Sequence, residues 1–520
     1  MSSFARRNWP VLIPVLVFLL GALAGFNAPG IYLDEVNPDY LVTNLLAKGG
    51  HPIPNWIIPG NLLFGYFPLL GAIYHGALPF YVGLPFYALF GTDAFGIRAT
   101  HAAFAVLIIA AAWGMLDTMG ARRGLAVLFL SALAIDPTFQ LCFRSAFYIT
   151  TLPIAFILAS VALAWPVYRD GPVSRRRIVA SGICAGLSAY GYFIFGFFAA
   201  LVGLALLAAR KRAQFPQWLL GFFIGVLPIL LGWLLFALAS GGLDAFAQMS
   251  SGLGVFRETD GVFGRWTAAL EAWHLALNSQ GMNRLVLGQE IPYWLGEIKV
   301  LGLVSIPLLG LFIGELSGGR SPALRVLTLL AIVPPLIYGL IFGGRLWVQH
   351  FTATIPIFYC AAALGLSLLS RRLSSTALLA AAVPVVFVFV NATNFQATIL
   401  RLNVTGGTGL SSDAINSFSW EARDDAAALY VVPDWGLLFP LGMITRGQLE
   451  MTTQFSPELI RSTLCSGRDV VAASLGEGAE QRNAERLGAV DWPGTVSITT
   501  TRDGMPSIYA ARWTASAKAC

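Results

Sequence analysis

Gly76-Ala77-Leu78-Pro79-Phe80-Tyr81-Val82-Gly83-Leu84-Pro85-Phe86-Tyr87-Ala88-Leu89-Phe90-Gly91 is the segment on which the topology turns. It is apolar and aromatic, yet two prolines and three glycines interrupt it. The longer apolar runs are punctuated by cations: Arg6/Arg7, Arg122/Arg123, Arg169 with Arg175-Arg176-Arg177, Arg210-Lys211-Arg212, Arg320 with Arg325, and Arg371-Arg372. Such clusters gather on the cytoplasmic side of membrane spans. If 76–91 crossed the bilayer, those at 122–123, 175–177, 210–212 and 371–372 would all fall outside. If it lies in or re-enters the interface, anchored by Phe80, Tyr81, Phe86 and Tyr87, all of them fall inside.

The second reading fits the whole chain. With 520 residues, 56% of them hydrophobic and 12% charged, and a mean hydropathy of +0.70, this is a polytopic α-helical membrane protein. A helix needs roughly 17–25 apolar residues to cross about 30 Å of hydrocarbon. Spans are expected near 9–29, 97–117, 124–141, 147–166, 178–192, 196–209, 217–239, 295–314, 324–343, 351–370 and 376–396, eleven in all. The N-terminus is then cytoplasmic and the C-terminal tail outside. The short pair at 178–192 and 196–209 is split because both flanks are basic; one long span there would invert everything after it. The first span is read as a retained anchor, since no small-residue cleavage pattern precedes Asp34. The net charge of +6 is loop bias. No aromatic side chains interleave with the cations as nucleic-acid binding would need, so no nucleic-acid partner is expected.

Three outer segments are long enough to do something: 30–96, 240–294 and the tail. Residues 1–396 read as a transmembrane module and 397–520 as an aqueous α/β domain. Its strand-like runs are Leu429–Val432, Asp469–Ala472, Val496–Thr499 and Ser507–Ala510. A Ser456 cap opens one of its helices and Ala479–Leu487 forms another. An amphipathic helix is expected through Trp266–Leu277 in the second outer segment. Cys465 and Cys520 both lie in the tail, where an oxidising compartment would let them pair. Cys184 and Cys360 sit in spans as packing residues, and no Cys/His group has structural-zinc spacing.

The chemistry points to the outer mouth. Asp34-Glu35 follows directly on the first span, and a span needs no acid there, because desolvating one without a partner is costly. The chain has no phosphate-binding P-loop, no Gly-x-Ser-x-Gly elbow and no His-Glu-x-x-His. What remains is acid in the first loop (Asp34, Glu35, Asp39), Asp136 and Arg144 at the second outer turn, and Arg345, Gln349 and His350 before the tenth span. Acids on one side and cations on the other suit transfer of a group from a phosphate leaving group. A carboxylate takes the proton of the attacking hydroxyl while Arg and His neutralise the departing phosphate. Each residue also has a plainer use: Asp34 or Asp136 as a helix cap, Asp39 as the start of a turn after Pro38, Arg144 snorkelling to the interface, Arg345 in a structural ion pair, His75 and His350 as packing. Pro433-Asp434-Trp435-Gly436 in the tail reads as an acceptor-positioning turn or a structural one.

Tyr32-Leu33-Asp34-Glu35, then His75-Gly76-Ala77-Leu78-Pro79-Phe80-Tyr81, then Phe90-Gly91-Thr92-Asp93-Ala94-Phe95-Gly96-Ile97-Arg98 together resemble the GT-C glycosyltransferases of the family 39 type. That group is related to protein mannosyltransferases and bacterial lipid A aminoarabinose transferases. The resemblance covers roughly 1–210 and, more loosely, Arg345–Pro356; the tail matches none of it. It implies a GT-C-like fold and a sugar donor on a polyprenyl phosphate. It also implies a cell-envelope glycan, lipid or protein as acceptor, and an inner-membrane location with a periplasmic tail. Asp34 would be the general base, with Glu35 and Asp136 as further catalytic acids; Arg345, His350 and Arg144 would hold the donor phosphate; Asp39, Tyr40 and His75 would meet the sugar or acceptor. A divalent metal, Mg or Mn, would help the leaving phosphate, although no full ligand set is visible. Family members carry a second acid shortly after the arginine matching Arg144, where this chain has Phe147-Tyr148-Ile149-Thr150. Either Asp136 supplies it or one carboxylate suffices. The alternative is a transporter or lipid-linked sugar flippase, which predicts charges in mid-span and two similar halves. A third is a non-catalytic receptor or assembly factor.

Overall fold

The structure, a computed structural model, describes the chain except residues 1–7, 33–35, 47–49, 55–60, 145–149, 170, 172, 209–211, 241, 243, 245–260, 317–320, 373–376, 435 and 517–520. Helices stand at all eleven expected span positions: Leu12–Leu23, Ala94–Met119, Arg123–Ala134, Ile154–Tyr168, Arg175–Gly191, Phe195–Ala208, Phe215–Ala239, Leu295–Leu316, Pro322–Phe342, Thr354–Arg372 and Ala377–Thr405. The chain is a multi-pass membrane protein. The deciding segment forms the helix Leu78–Phe90, with 13 residues. At 1.5 Å per residue it reaches about 20 Å, no less than Leu12–Leu23 or Arg123–Ala134 with 12 residues each, so its length alone does not set it apart from the spans.

Local sequence sets the helix ends. Asp93 accepts the Gly96 N–H (3.0 Å) to open Ala94–Met119, which Gly120 closes in the left-handed conformation. The expected span 124–141 breaks after Ala134. Pro137 cannot continue the backbone ladder, and Asp136 instead caps a new short helix, Pro137–Cys142, accepting from Thr138 and Phe139 N–H. The last span runs past 396 to Thr405.

Arg175–Gly191 packs on Phe215–Ala239 through two glycine pairs spaced four apart. A Cβ on Gly182 or Gly186 would lie 2.0 or 2.2 Å from a backbone carbonyl of the partner helix, and one on Gly221 or Gly225 would lie 2.1 or 2.4 Å away. Small residues let the two backbones touch, as helices in lipid must when no hydrophobic gradient drives them together. The split at 192–194 is real: Arg175–Gly191 stops there, Phe193 N–H bonds the Tyr74 carbonyl (3.1 Å), and Phe195–Ala208 begins.

The two ends of the bundle differ. Arg122 and Arg371 meet Ser367 and Gly120 at one end. The first loop, the 192–194 break and His350 share the other, with the tail.

The tail holds a five-stranded sheet in the order Glu450–Thr452, Leu429–Val431, Val470–Leu475, Pro506–Trp513, Gly494–Thr500. The first three strands are parallel and the last two antiparallel to their neighbours. Four of these match expected runs; Glu450–Thr452 and the two small hairpins at 62–76 were not legible. Cys465 is disulfide-bonded, and its expected partner Cys520 lies outside the described residues. Asp434, in the turn singled out above, is held by Arg482 (3.0 Å) and Arg486 (2.6 Å), a structural use.

The tail is fused to the first outer loop. Ile31, Val36, Tyr40, Phe80 and Tyr87 share one hydrophobic core with Ile415, Phe439, Leu441 and Ile508. Gly30 N–H bonds the Ser411 carbonyl (2.9 Å), Ile31 N–H bonds Asn416 Oδ1 (3.2 Å), and His51 N–H bonds the Gly447 carbonyl (2.7 Å). A Cβ at Gly30 would sit 1.8 Å from the Ser412 carbonyl oxygen, so this approach demands glycine. Asp93 and Arg446 form an ion pair across the same seam.

Candidate active site

Asp34 and Glu35 lie outside the described residues, but their flanks are the tail-clamped segments above. A few residues on, Asp39 is fully enclosed beneath the tail. Its Oδ2 accepts from the Tyr87 hydroxyl (2.6 Å) and stands 3.6 Å from His101 Nε2, while Oδ1 has no hydrogen-bond partner. Tyr40 lies flat on Phe439 at 3.8 Å and 9°. An enclosed carboxylate and a stacked, buried ring cannot touch an acceptor in this arrangement. Both hold the loop to its roof.

His75 and His350, far apart in sequence, are brought together by a residue that sequence reasoning missed. The Tyr192 ring is near-parallel to His75 (6.0 Å between centroids, 12°), and its hydroxyl lies 3.0 Å from His350 Nε2. The break between the two short helices is what lets Tyr192 reach them both. His75 Nδ1–H donates to the Gly76 carbonyl (3.1 Å). The Tyr338 hydroxyl bonds the His350 carbonyl (3.0 Å). Beside this group, the tight turn Gly343–Arg345 carries Arg345, whose Nη2 is buried without a hydrogen-bond partner, as is the Oε1 of Gln349. A buried donor left unmade costs about 1–3 kcal/mol, more when charged. Such a guanidinium is ready for an anion.

Burial pushes His75 down to about 4 against the opposing pull of its Gly76 hydrogen bond, so the ring is neutral at ordinary pH. Unfolded, the same ring takes up its proton near pH 6.5. The unfolded state therefore binds more protons between those values, and stability is complete above pH 6.5 and declines as pH falls toward 4. The gap is worth on the order of 3 kcal/mol. In His75→Gln, unfolding temperature should fall less steeply across that window than in wild type; parallel curves would remove His75 from the acid response.

Asp136 and Lys299 form a second buried centre. Lys299 Nζ lies 2.9 Å from Asp136 Oδ2, which also accepts from the Tyr359 hydroxyl (2.8 Å); the ammonium donates to Ser279 Oγ (2.7 Å), and Asn391 Nδ2 donates to Tyr359 (2.6 Å). Together with the two N–H bonds to Oδ1, the carboxylate is saturated. Lys299 is the lone cation of the helix Leu295–Leu316, a sequence signal that could have found it. Arg144 is separate again: it donates to the carbonyls of Gly21, Ala24 and Gly25 at the end of the first span and lies over Phe395 (5.7 Å).

The structure therefore joins His75 and His350 through Tyr192, with Arg345 on the turn just before His350, seats Asp39 and Tyr40 under the tail, and holds Asp136 and Arg144 in two other networks. Among the described residues, no three His, Cys, Asp or Glu side chains come together as a metal set.

No family model and no curated protein matches the chain. Among solved structures it is similar to ArnT from Cupriavidus metallidurans bound to undecaprenyl phosphate, with a TM-score of 0.60 and 12% identity over 96% of this chain and 98% of that one. It is similar also to the apo state of that protein, with a TM-score of 0.58 and 13% identity over 99% of each. The GT-C fold expected from the sequence is thus the fold of the chain, tail included.

Proposed function

We propose that this protein is a glycosyltransferase of the inner membrane, moving a monosaccharide from a polyprenyl-phosphate donor to an envelope acceptor at the outer face. The observation that carries this reading is the buried Arg345 Nη2, without a hydrogen-bond partner, on the turn that leads into His350 of the His75–Tyr192–His350 group. A fold shared with a protein that has been seen with undecaprenyl phosphate supports it.

In this mechanism Asp34 accepts the proton of the acceptor hydroxyl as its oxygen attacks the anomeric carbon. The bond from that carbon to the phosphate oxygen breaks on the opposite face, its electron pair leaving with the phosphate, so the configuration inverts. Arg345 meets the charge that develops there, where a fixed cation is worth most. His75, neutral, contributes a hydrogen bond, and His350, whose ring nitrogens are held by Trp347 N–H and the Tyr192 hydroxyl, keeps Tyr192 against the His75 ring. Asp136, saturated by its neighbours, has a positioning role, as does Asp39. Arg144 is committed to the first span and is not assigned to the donor.

A transporter would use buried charges that change partners. Among the described residues the Asp136–Lys299 pair is a feature of that kind, and its closed set of hydrogen bonds favours a structural use.

Transfer from radiolabelled polyprenyl-phosphate sugars to envelope extracts by purified protein tests the reading. Arg345→Ala should lower kcat/KM for the donor by about 10²-fold, the loss of one charged contact to the leaving group. Full activity in that variant would rule out a role for Arg345 at the phosphate.

A further inference from the structure

The tail sheet ends on two edges of opposite character. At one, the strand Glu450–Thr452 has three residues, and its Glu450 is ion-paired with Arg468 (2.8 Å). A short, charged edge is how proteins keep sheets from pairing. At the other, Gly494–Thr500 has seven residues and, among the described residues, is paired on one side only, with Pro506–Trp513. It carries no charge and no proline, and five of the seven residues are β-branched. Six of the seven are exposed, Val496 and Ile498 on one face by 49% and 51%. Its outward N–H and C=O groups are a template for another strand.

The packing of the sheet decides which strand can reach it. One face, with Val471, Ala473 and Ile508, shares its core with Tyr40, Phe80 and Tyr87 of the membrane module. The opposite face, with Val470, Ala472 and Ala511, is covered by Ile460 and Leu464 of the helix Pro457–Cys465. The sheet therefore lies over the outer end of the bundle, one face toward the bilayer and one away, and its edges point sideways along the membrane. Two identical strands that pair antiparallel are related by a two-fold axis perpendicular to their sheet. For this edge that axis runs along the bilayer normal. Copies of a membrane protein inserted the same way round admit no other two-fold; an upright edge would have required one copy to be upside down.

Composition suits self-pairing as well. A charged strand laid against its own copy risks setting like charges opposite one another, and this strand has none. With Ser497 at the centre, Val496 lies opposite Ile498 of the other copy and Thr495 opposite Thr499. Directly opposed residues share a face, so the half-exposed apolar side chains cover each other and hydroxyls meet hydroxyls. At each end Asp491 of one copy comes near Arg502 and Asp503 of the other, so neither end gathers charge of a single sign.

We propose that a second copy of this chain occupies the edge Gly494–Thr500, joining the two tail sheets into one continuous sheet about a two-fold along the bilayer normal. Seven paired residues are fewer than the roughly 20–30 a side of a stable soluble interface. The dimer therefore belongs to the bilayer, where both copies share one plane and one orientation and their effective concentration is high.

Single cysteines would be oxidised in membranes of expressing cells and the full chain run on non-reducing gels, with wild type as the background for its own thiols. Ser497 stands opposite itself, with Cα atoms about 5 Å apart and within reach of a disulfide, so Ser497→Cys should give a covalent dimer. Thr495→Cys and Thr499→Cys are each offset from their own copies by about 14 Å along the strands. Neither should cross-link alone, and the two co-expressed should cross-link to each other. Adding Ile498→Lys to Ser497→Cys should abolish the dimer by placing a charge at a pairing position, without lowering the unfolding temperature. Absence of the Ser497→Cys dimer, its survival with Ile498→Lys, or an equal yield from Thr495→Cys alone, which is random collision, would overturn the proposal. Cross-linking of Ser497→Cys to a different protein would overturn it too, by giving the edge to a foreign strand. None of these readouts depends on sugar transfer, so the proposal stands or falls apart from the enzymatic reading.

Discussion

Asp34→Asn should reduce sugar transfer by about 10²–10⁴-fold while leaving the protein folded and the donor bound. That range is what a positioned general base contributes. Asparagine keeps the size and polarity of the side chain and removes only its capacity to take a proton, so the loss should fall on kcat with little change in KM for the donor. Arg345→Ala should lower kcat and raise KM for the donor together, since its cation would meet both the bound phosphate and the charge developing on it, so the two variants separate proton removal from phosphate contact. Glu35→Gln is the matched control from the adjacent position. If Asp34→Asn transfers at the wild-type rate, the base lies elsewhere. Asp39 would then need the tail to lift from it before it could act, since it is enclosed.

Lys299→Met should be the most damaging single change for stability, at about 3–5 kcal/mol. It removes the cation from a pair in which both side chains are no more than 1% exposed, leaving a carboxylate buried without compensation. The hydrogen bonds from Thr138, Phe139 and Tyr359 remain, but they satisfy geometry and not charge. The double variant Asp136→Asn/Lys299→Met should recover most of the loss, because the amide still accepts the N–H bonds that cap Pro137–Cys142. Unfolding in mixed detergent would measure both. A single variant within about 0.5 kcal/mol of wild type would show that water or a neighbour neutralises Asp136.

Much of this could be read in the sequence, and the reasons differ by element. All eleven helices were legible because long apolar runs and their basic flanks respond to one strong variable, transfer into hydrocarbon. Ends were less so: Asp136-Pro137 reads as a cap, but only folding shows that it ends one helix and starts another. His75 and His350 were legible as candidate site residues, and the basic flanks placed the break between 192 and 196, but their meeting through Tyr192 is a tertiary contact that local pattern does not show. Lys299 and His101 each carried a signal, an ionisable group within a long apolar helix. Their partners Asp136 and Asp39 lie on other segments, and partnership is a tertiary fact. The shared core between loop and tail was the least legible, since each half reads as an ordinary apolar set.

The seam between tail and first loop also governs how the protein is made. Ile31 leaves the ribosome well before the Asn416 side chain that holds its backbone, which is 385 positions later. Contacts so distant along the chain form last. Every helix of the bundle and the tail that follows it must be made before Gly30 and Ile31 can be held by Ser411 and Asn416. On the proposed reading, a chain cut short before the tail would lack the hold on the segments that flank Asp34, and sugar transfer would wait on the completion of the tail.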